Sequence, residues 1–407
     1  MPLCARPVVR EVQTLGAIGC ARSTRLRDCA RFAVRGRQMK RFASLIAAVA
    51  ITFLATTSGA LADENSATYH QIALIAVPGS PLNSFDISWV DRSSHAYYLS
   101  DRSNKGVDIF DTRTNTFVAR ITGFVGPSTS NDTAGPNGIV PVRDRHELWA
   151  GDGDSTVKVI DLTTRTIVAS IHTGGANRAD EMAYDPKDHV LIVANDAETV
   201  PFVTFIDTRS RTVLGKVEVP HATNGLEQPV WDPESRLFYL SVPQLGADPR
   251  NGGVAVFDPR ARALVRTFAV TDCEPAGLAL GPEQRLLLGC SGAGIAAWTA
   301  QMQVMDAETG AIVKVITGIG GSDEVWYNPG DHHYYVAARN DPGGPVLGII
   351  DAERNVLIQR VPTGPNSHSV AADPKTNHIF LPLRGKGIGV YAAGSGSDDN
   401  ESDGDSH

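Results

Sequence analysis

Short apolar runs punctuated by Asp recur along most of the chain. A run ends in Asp at 108–111 (Asp-Ile-Phe-Asp), 159–161 (Val-Ile-Asp) and 205–207 (Phe-Ile-Asp). It returns at 256–258 (Val-Phe-Asp), 304–306 (Val-Met-Asp) and 349–351 (Ile-Ile-Asp), so the closing aspartates are 50, 46, 51, 48 and 45 residues apart. After each comes a turn and a β-rich stretch such as Val118–Ile121, Ile167–Ile171 or Ala311–Ile316. A second marker precedes each run: Asp185-Pro186, Asp232-Pro233, Gly281-Pro282, Asn328-Pro329 and Asp373-Pro374. About six residues beyond that turn stands another apolar run, as in Tyr97-Tyr98-Leu99, Leu148-Trp149-Ala150 or Phe238-Tyr239-Leu240. No helical period occurs over 69–392. Each unit therefore reads as four short strands, and four strands per repeat of 40–50 residues predicts a β-propeller.

Inner strands opening near 86, 138, 180, 228, 276, 324 and 369 make seven blades, with six or eight as the alternative counts. The last unit holds only three strands. The segment Gln71–Val77 supplies the fourth, closing the ring and removing exposed sheet edges. The expected fold is an all-β, seven-bladed β-propeller over 63–392, followed by a disordered acidic tail, 393–407.

Leu191-Ile-Val-Ala-Asn195, the Asp-Pro turns and Asp161-Leu-Thr-Thr-Arg-Thr-Ile-Val168 resemble the YVTN-repeat family of exported seven-bladed propellers. The resemblance covers 86–392 and implies architecture; the family has no shared catalytic motif to carry over. Trp231-Asp232 sits on an inner strand, which argues against WD repeats.

Residues 1–62 read as a leader. Within 39–62, Lys40-Arg41, the apolar Leu45–Leu54 and Ala60-Leu61-Ala62 form the charged, apolar and cleavage regions of a signal peptide. Met39 is then the expected true start and Asp63 the mature N-terminus; an Arg-rich transit peptide is the rival reading of 1–38. The mature chain carries 27 basic and 43 acidic side chains, a formal charge of −16. That charge disfavours nucleic acids and anionic membranes as partners. No further apolar stretch is long enough to span a membrane. A periplasmic or secreted monomer is expected.

Of five cysteines only Cys273 and Cys290 lie beyond the leader. Cys273 precedes an inner strand and Cys290 ends its antiparallel neighbour, which predicts a disulfide in the fifth blade. The absence of Cys-x-x-Cys-His and Cys-x-x-Cys excludes c-type haem attachment and simple zinc or thioredoxin sites. No P-loop, dinucleotide fingerprint, Gly-x-Ser-x-Gly or His-Glu-x-x-His occurs, and neither haem nor a nucleotide is expected.

Aligning the units on their turns gathers Asp86, Gly138 with Asn137 beside it, Asp180, Glu227, Ala276, Asp323 and His368 at one mouth of the channel. Glu181, Glu274 and Glu324 are near neighbours. One such acid would merely begin a strand; so many on one axis predicts a cation site. Ca²⁺ suits the oxygen donors best, with Zn²⁺ or Mg²⁺ as alternatives. Second-to-third-strand loops add Arg102, Asp152, Asp154, Asn195, Asp196, Arg339, Asn340 and Arg384 as candidate ligand contacts. Longer insertions at 124–136 and 243–253 are candidate lids. His332-His333 and His172 read as structural, while His221 lies nearer the mouth.

Two functions compete. One is a non-catalytic propeller holding a divalent cation with a small ligand or an exported protein partner. The other is a metal-dependent hydrolase of lactones or esters, or a lyase, in which Asp323 or His368 is the general base. Propeller lactonases hold Ca²⁺ in a similar channel, although generally on six blades.

Overall fold

A computed structural model describes residues 68–394. The leader, the expected cleavage at Asp63 and the tail beyond Gly394 lie outside the described residues.

The two repeated markers are turn chemistry. Asp161 Oδ1 accepts from the backbone N–H groups of Thr163 and Thr164, both at 2.8 Å. Asp207 does the same with Arg209 and Ser210, and Asp351 with Glu353 and Arg354. The following Arg165, Arg211 and Asn355 take left-handed φ of 53–56°, which turns the chain back into the outer strand. The Asp-Pro aspartates cap the inner hairpin likewise: Asp185 accepts from Lys187 N–H at 2.8 Å and Asp373 from Lys375 N–H at 2.9 Å. At these turns a short carboxylate two residues ahead specifies the reversal.

Between these turns the chain forms seven four-stranded antiparallel sheets. The inner strands are Ser88–Asp91, Ile139–Val142, Met182–Asp185, Pro229–Asp232, Pro275–Leu280, Val325–Asn328 and Ala371–Ala372. Six blades run inner to outer in chain order. In the seventh, Tyr69–Ile75 pairs outside Gly387–Ala393 and closes the ring. The closing strand begins two residues earlier than the pattern predicts. Tyr69 is buried, its N–H donates to Gln359 Oε1 at 2.8 Å, and its hydroxyl hydrogen-bonds His333 at 2.8 Å. These contacts tie the strand to blade six as well as blade seven.

In the third-to-fourth-strand pairing of the first six blades a bulge recurs two residues before the closing Asp, as at Ile109/Phe110 and Phe205/Ile206. It sharpens the twist that splays the blades. The middle strands pack between neighbouring blades, burying Trp149, Tyr97, Phe205, Phe257 and Phe380 completely. Each such ring contributes about 1.5–3 kcal/mol. Outer strands alternate, leaving Val118, Val168, Val213 and Val265 half in water. Cys273 and Cys290 form the expected disulfide. No helix among the described residues is long and apolar enough to cross a membrane.

Candidate functional site

The mouth is built by a repeated hydrogen-bond register. In five blades the residue two positions before the inner strand donates its N–H to the end of the second strand: Asp86 to Ser100 at 2.9 Å, Asp180 to Ala194 at 2.8 Å, Glu227 to Ser241 at 3.0 Å, Asp323 to Ala337 at 3.2 Å. Asn137 makes the same bond to Gly151 at 2.9 Å. Asn137, and not Gly138, is therefore the second blade's equivalent, because a 3-10 turn at Arg143–Arg145 replaces the Asp-Pro turn used for alignment. Gly138 serves closeness instead: a Cβ there would strike the backbone of Asp180 and Glu181 in blade three.

Asp86, Asp180, Glu181, Glu227, Asp323, Glu324 and His368 come together at this end of the channel, near enough for their charges to act on one another. Arginines answer part of that charge. Arg102 is 4% exposed and gives its guanidinium to Asp86, to Asn137 Oδ1 and to the Pro136 carbonyl. Arg178 bridges Asp180 at 2.8 Å and Asp196 at 2.6 Å. Arg339 meets Asp323 at 2.9 Å. His368 stacks on Phe85 at 4.8 Å, hydrogen-bonds the Asn366 carbonyl through Nδ1, and lies 3.4 Å from Asp86 through Nε2.

The protonation pattern follows from who has a partner. Burial would raise the Asp86 carboxyl, but Arg102 and the His368 hydrogen bond outweigh it and hold it down at about 2. Burial raises Asp180 far above the usual carboxylate range; Arg178 opposes this, while Asp196, Asp86 and Glu227 reinforce it. Glu181 is raised by burial and then by Glu324, Glu227 and Asp180. Glu227 is pushed up to about 8 by burial, Asp323 and Asp196. Glu324 is raised by burial and Asp323, against one opposing hydrogen bond from Ser369 to its Oε2 at 2.8 Å. Ser88 supports that serine from blade one, hydroxyl to hydroxyl, at 2.7 Å. Glu324 Oε1 is buried with no hydrogen-bond partner among the described residues.

Other candidates have internal work. Glu274 accepts from Asn224 at 3.1 Å and from Gly294 N–H at 2.7 Å, so it ties the loops of blades four and five. Asp152 is fully buried, takes Lys158 at 2.9 Å and the N–H of Val125, and so anchors the 124–136 insertion. Asn195 bonds Thr173 at 2.8 Å and Thr204 at 3.1 Å. Asp154 pairs with Lys158 at 3.4 Å. Asn340 and Arg384 are exposed. His332 pairs with Glu353 at the other end of the hairpin, and His172 and His221 are exposed. Sequence reasoning missed Arg178. Its signal was weak, a lone Arg two residues before Asp180, and only the ring places Asp196 on its other side.

Among the described residues no three His, Cys, Asp or Glu side chains converge at metal-ligating distance. The arrangement supplies an acidic mouth in which arginines answer Asp86, Asp180 and Asp323, while Glu181, Glu227 and Glu324 form no ion pair among the described residues.

No protein-family model matches the chain, and no curated protein matches it. Solved structures do resemble it. A chain of the Kuenenia stuttgartiensis hydrazine synthase superposes with a TM-score of 0.64 at 15% identity, over 78% of this chain and 97% of that one. A chain of the mitotic checkpoint complex gives 0.61 at 14%, over 86% and 99%. Proteins this different in sequence share the propeller architecture alone.

Proposed function

We propose that the mouth is a cation-binding site in an exported, non-catalytic propeller, and that the cation carries a small polar ligand or a protein partner. One observation carries the reading: Glu181, Glu227 and Glu324 are held together with raised proton affinity, and Glu324 Oε1 is buried without a partner. Carboxyls in that state are relieved by a positive charge placed among them. The donors are all oxygen, the chemistry that suits Ca²⁺. Glu181, Glu227 and Glu324 would hold it, and Arg339 at the rim would meet an anionic group on the ligand. Export rests on the signal-peptide pattern of 39–62, and the Cys273–Cys290 disulfide accords with it. Membership of the YVTN-repeat family rests on the repeat residues alone.

A hydrolase is the second reading, favoured by Glu227. A carboxyl pushed up to about 8 suits proton transfer near neutral pH. Asp323 and His368, expected as bases, are instead engaged with Arg339 and Asn366.

Calorimetric titration of the metal-free protein with Ca²⁺, Mg²⁺ and Zn²⁺ tests the proposal. Binding of one equivalent, abolished by Glu181→Gln or Glu324→Gln and retained in Glu274→Gln, is expected. No heat and no thermal shift with any of the three ions would overturn it. Lactone or ester turnover that chelation stops and metal restores would favour the hydrolase.

A further inference from the structure

The channel changes character within one residue of its acidic mouth. Gln228 follows Glu227, and its side chain is held by the inner strands of the next two blades. Its Oε1 accepts from the N–H groups of Leu278 at 2.7 Å and Val325 at 3.2 Å, and its Nε2 donates to the Val325 carbonyl at 3.2 Å. On the far side of this amide lies a cavity of about 510 Å³ that opens toward the opposite face of the ring. Trp89, Trp231, Trp326, Tyr184 and Tyr327 line it, over a floor of Val230, Leu278 and Ala279.

The rings are held from behind. Trp231 lies on Phe238 with centroids 4.7 Å apart, and Tyr327 lies on Tyr334 at 5.3 Å. Trp89 and Trp326 meet edge to face at 5.1 Å and 82°. The Tyr184 hydroxyl donates to Asp144 at 2.8 Å. All five rings are nonetheless only half-buried, so each keeps surface toward the cavity. The charged groups at the rim are paired, Arg143 with Asp91 at 2.6 Å and Asp144 with Tyr184. The Trp89 indole Nε1, buried without a hydrogen-bond partner among the described residues, is a lone donor in an otherwise largely apolar lining.

We propose that this aromatic cavity is a second binding site, distinct from the acidic mouth, for a planar, largely apolar aromatic small molecule. The volume lies within the range of small-ligand pockets, and preformed rings need little ordering on binding. Offset or edge-to-face stacking on two or more indoles favours a flat ring system over an aliphatic chain of equal size.

The neutral dye N-phenyl-1-naphthylamine tests this, because three of the chain's five tryptophans line the cavity. Saturable binding of one dye, with a dissociation constant on the order of 10 µM, should quench tryptophan emission by energy transfer to the dye. Trp326→Ala should weaken binding about five- to tenfold through lost stacking, and Ala279→Phe should abolish it by filling the cavity. Circular dichroism and a cooperative urea transition identify variants that still fold, and Trp231→Ala replaces either one that does not. Absence of saturable binding would overturn the proposal, as would binding unchanged in the folded variants. A dimer that dissociates in Trp231→Ala and takes up no dye would give the face to a second copy of the chain, and would overturn it too.

Discussion

Glu227→Gln gives the sharpest test of the mouth's electrostatics, because it keeps the side chain's shape and removes its titration. In the unfolded chain a glutamate titrates near 4.5, whereas in the fold Glu227 is pushed up to about 8 by burial and then by Asp323 and Asp196. Between those two values the folded protein keeps a proton that the unfolded chain has released. Wild-type stability therefore falls as pH rises through the window from 4.5 to 8. Each pH unit across a fully shielded site is worth about 1.4 kcal/mol, so the limiting loss is about 5 kcal/mol. Glu227 is half-buried, and solvent screening reduces this to about 1–2 kcal/mol. Asp180, Glu181 and Glu324 are raised as well and steepen the wild-type curve, so the diagnostic is the difference between the two proteins. Urea denaturation in chelator from pH 5 to 9 measures it. The variant should match wild type near pH 5 and exceed it by about 1–2 kcal/mol at pH 8–9. A wild-type curve that is flat over this range, or a variant that falls as steeply as wild type, would refute the reasoning.

Arg178→Met should cost about 3–5 kcal/mol in chemical denaturation at pH 7, because it leaves Asp180 and Asp196 near each other without their cation. The loss should shrink on acidification, and an unchanged deficit at pH 4 would count against the pairing. Replacing Cys273 and Cys290 together by Ser opens a link spanning 17 residues and should remove about 3 kcal/mol, read from the urea midpoint of oxidised wild type against the variant. A variant as stable as wild type would mean that the blade holds its geometry without the bond.

Much of this molecule is written in local chemistry. An Asp that caps its own turn needs only the two or three residues after it, so Asp161, Asp207 and Asp351 mark strand ends wherever the chain goes. Repetition of that unit points to seven blades, the count the closed ring settles against six or eight, and the gap in the last one calls for the first strand to close it. Cys273 and Cys290 were legible for the same reason: Cys290 ends a strand opposite Pro275, and Cys273 lies two residues before that pair, so the hairpin brings them together.

The site was legible only as a set of positions. Alignment on the turns placed Asp86, Asp180, Glu227 and Asp323 at one mouth, but it could not choose their partners. Arg102 is spent on Asp86 and Asn137, and Arg178 on Asp180 and Asp196, while Glu181 and Glu324 are left without a cation. Those assignments depend on residues brought near by ring closure from different blades. The aromatic cavity escaped the pattern for a related reason. Trp89, Trp231 and Trp326 stand on inner strands and read along the chain as ordinary core. A strand's period of two says which neighbouring blade a side chain meets, not that seven such strands converge on an axis and leave it open. Sequence determined the strands and the turns because each rests on contacts a few residues apart. The tertiary structure decided which charges are answered and where the channel stays hollow, since both depend on distances that exist only once the ring is closed.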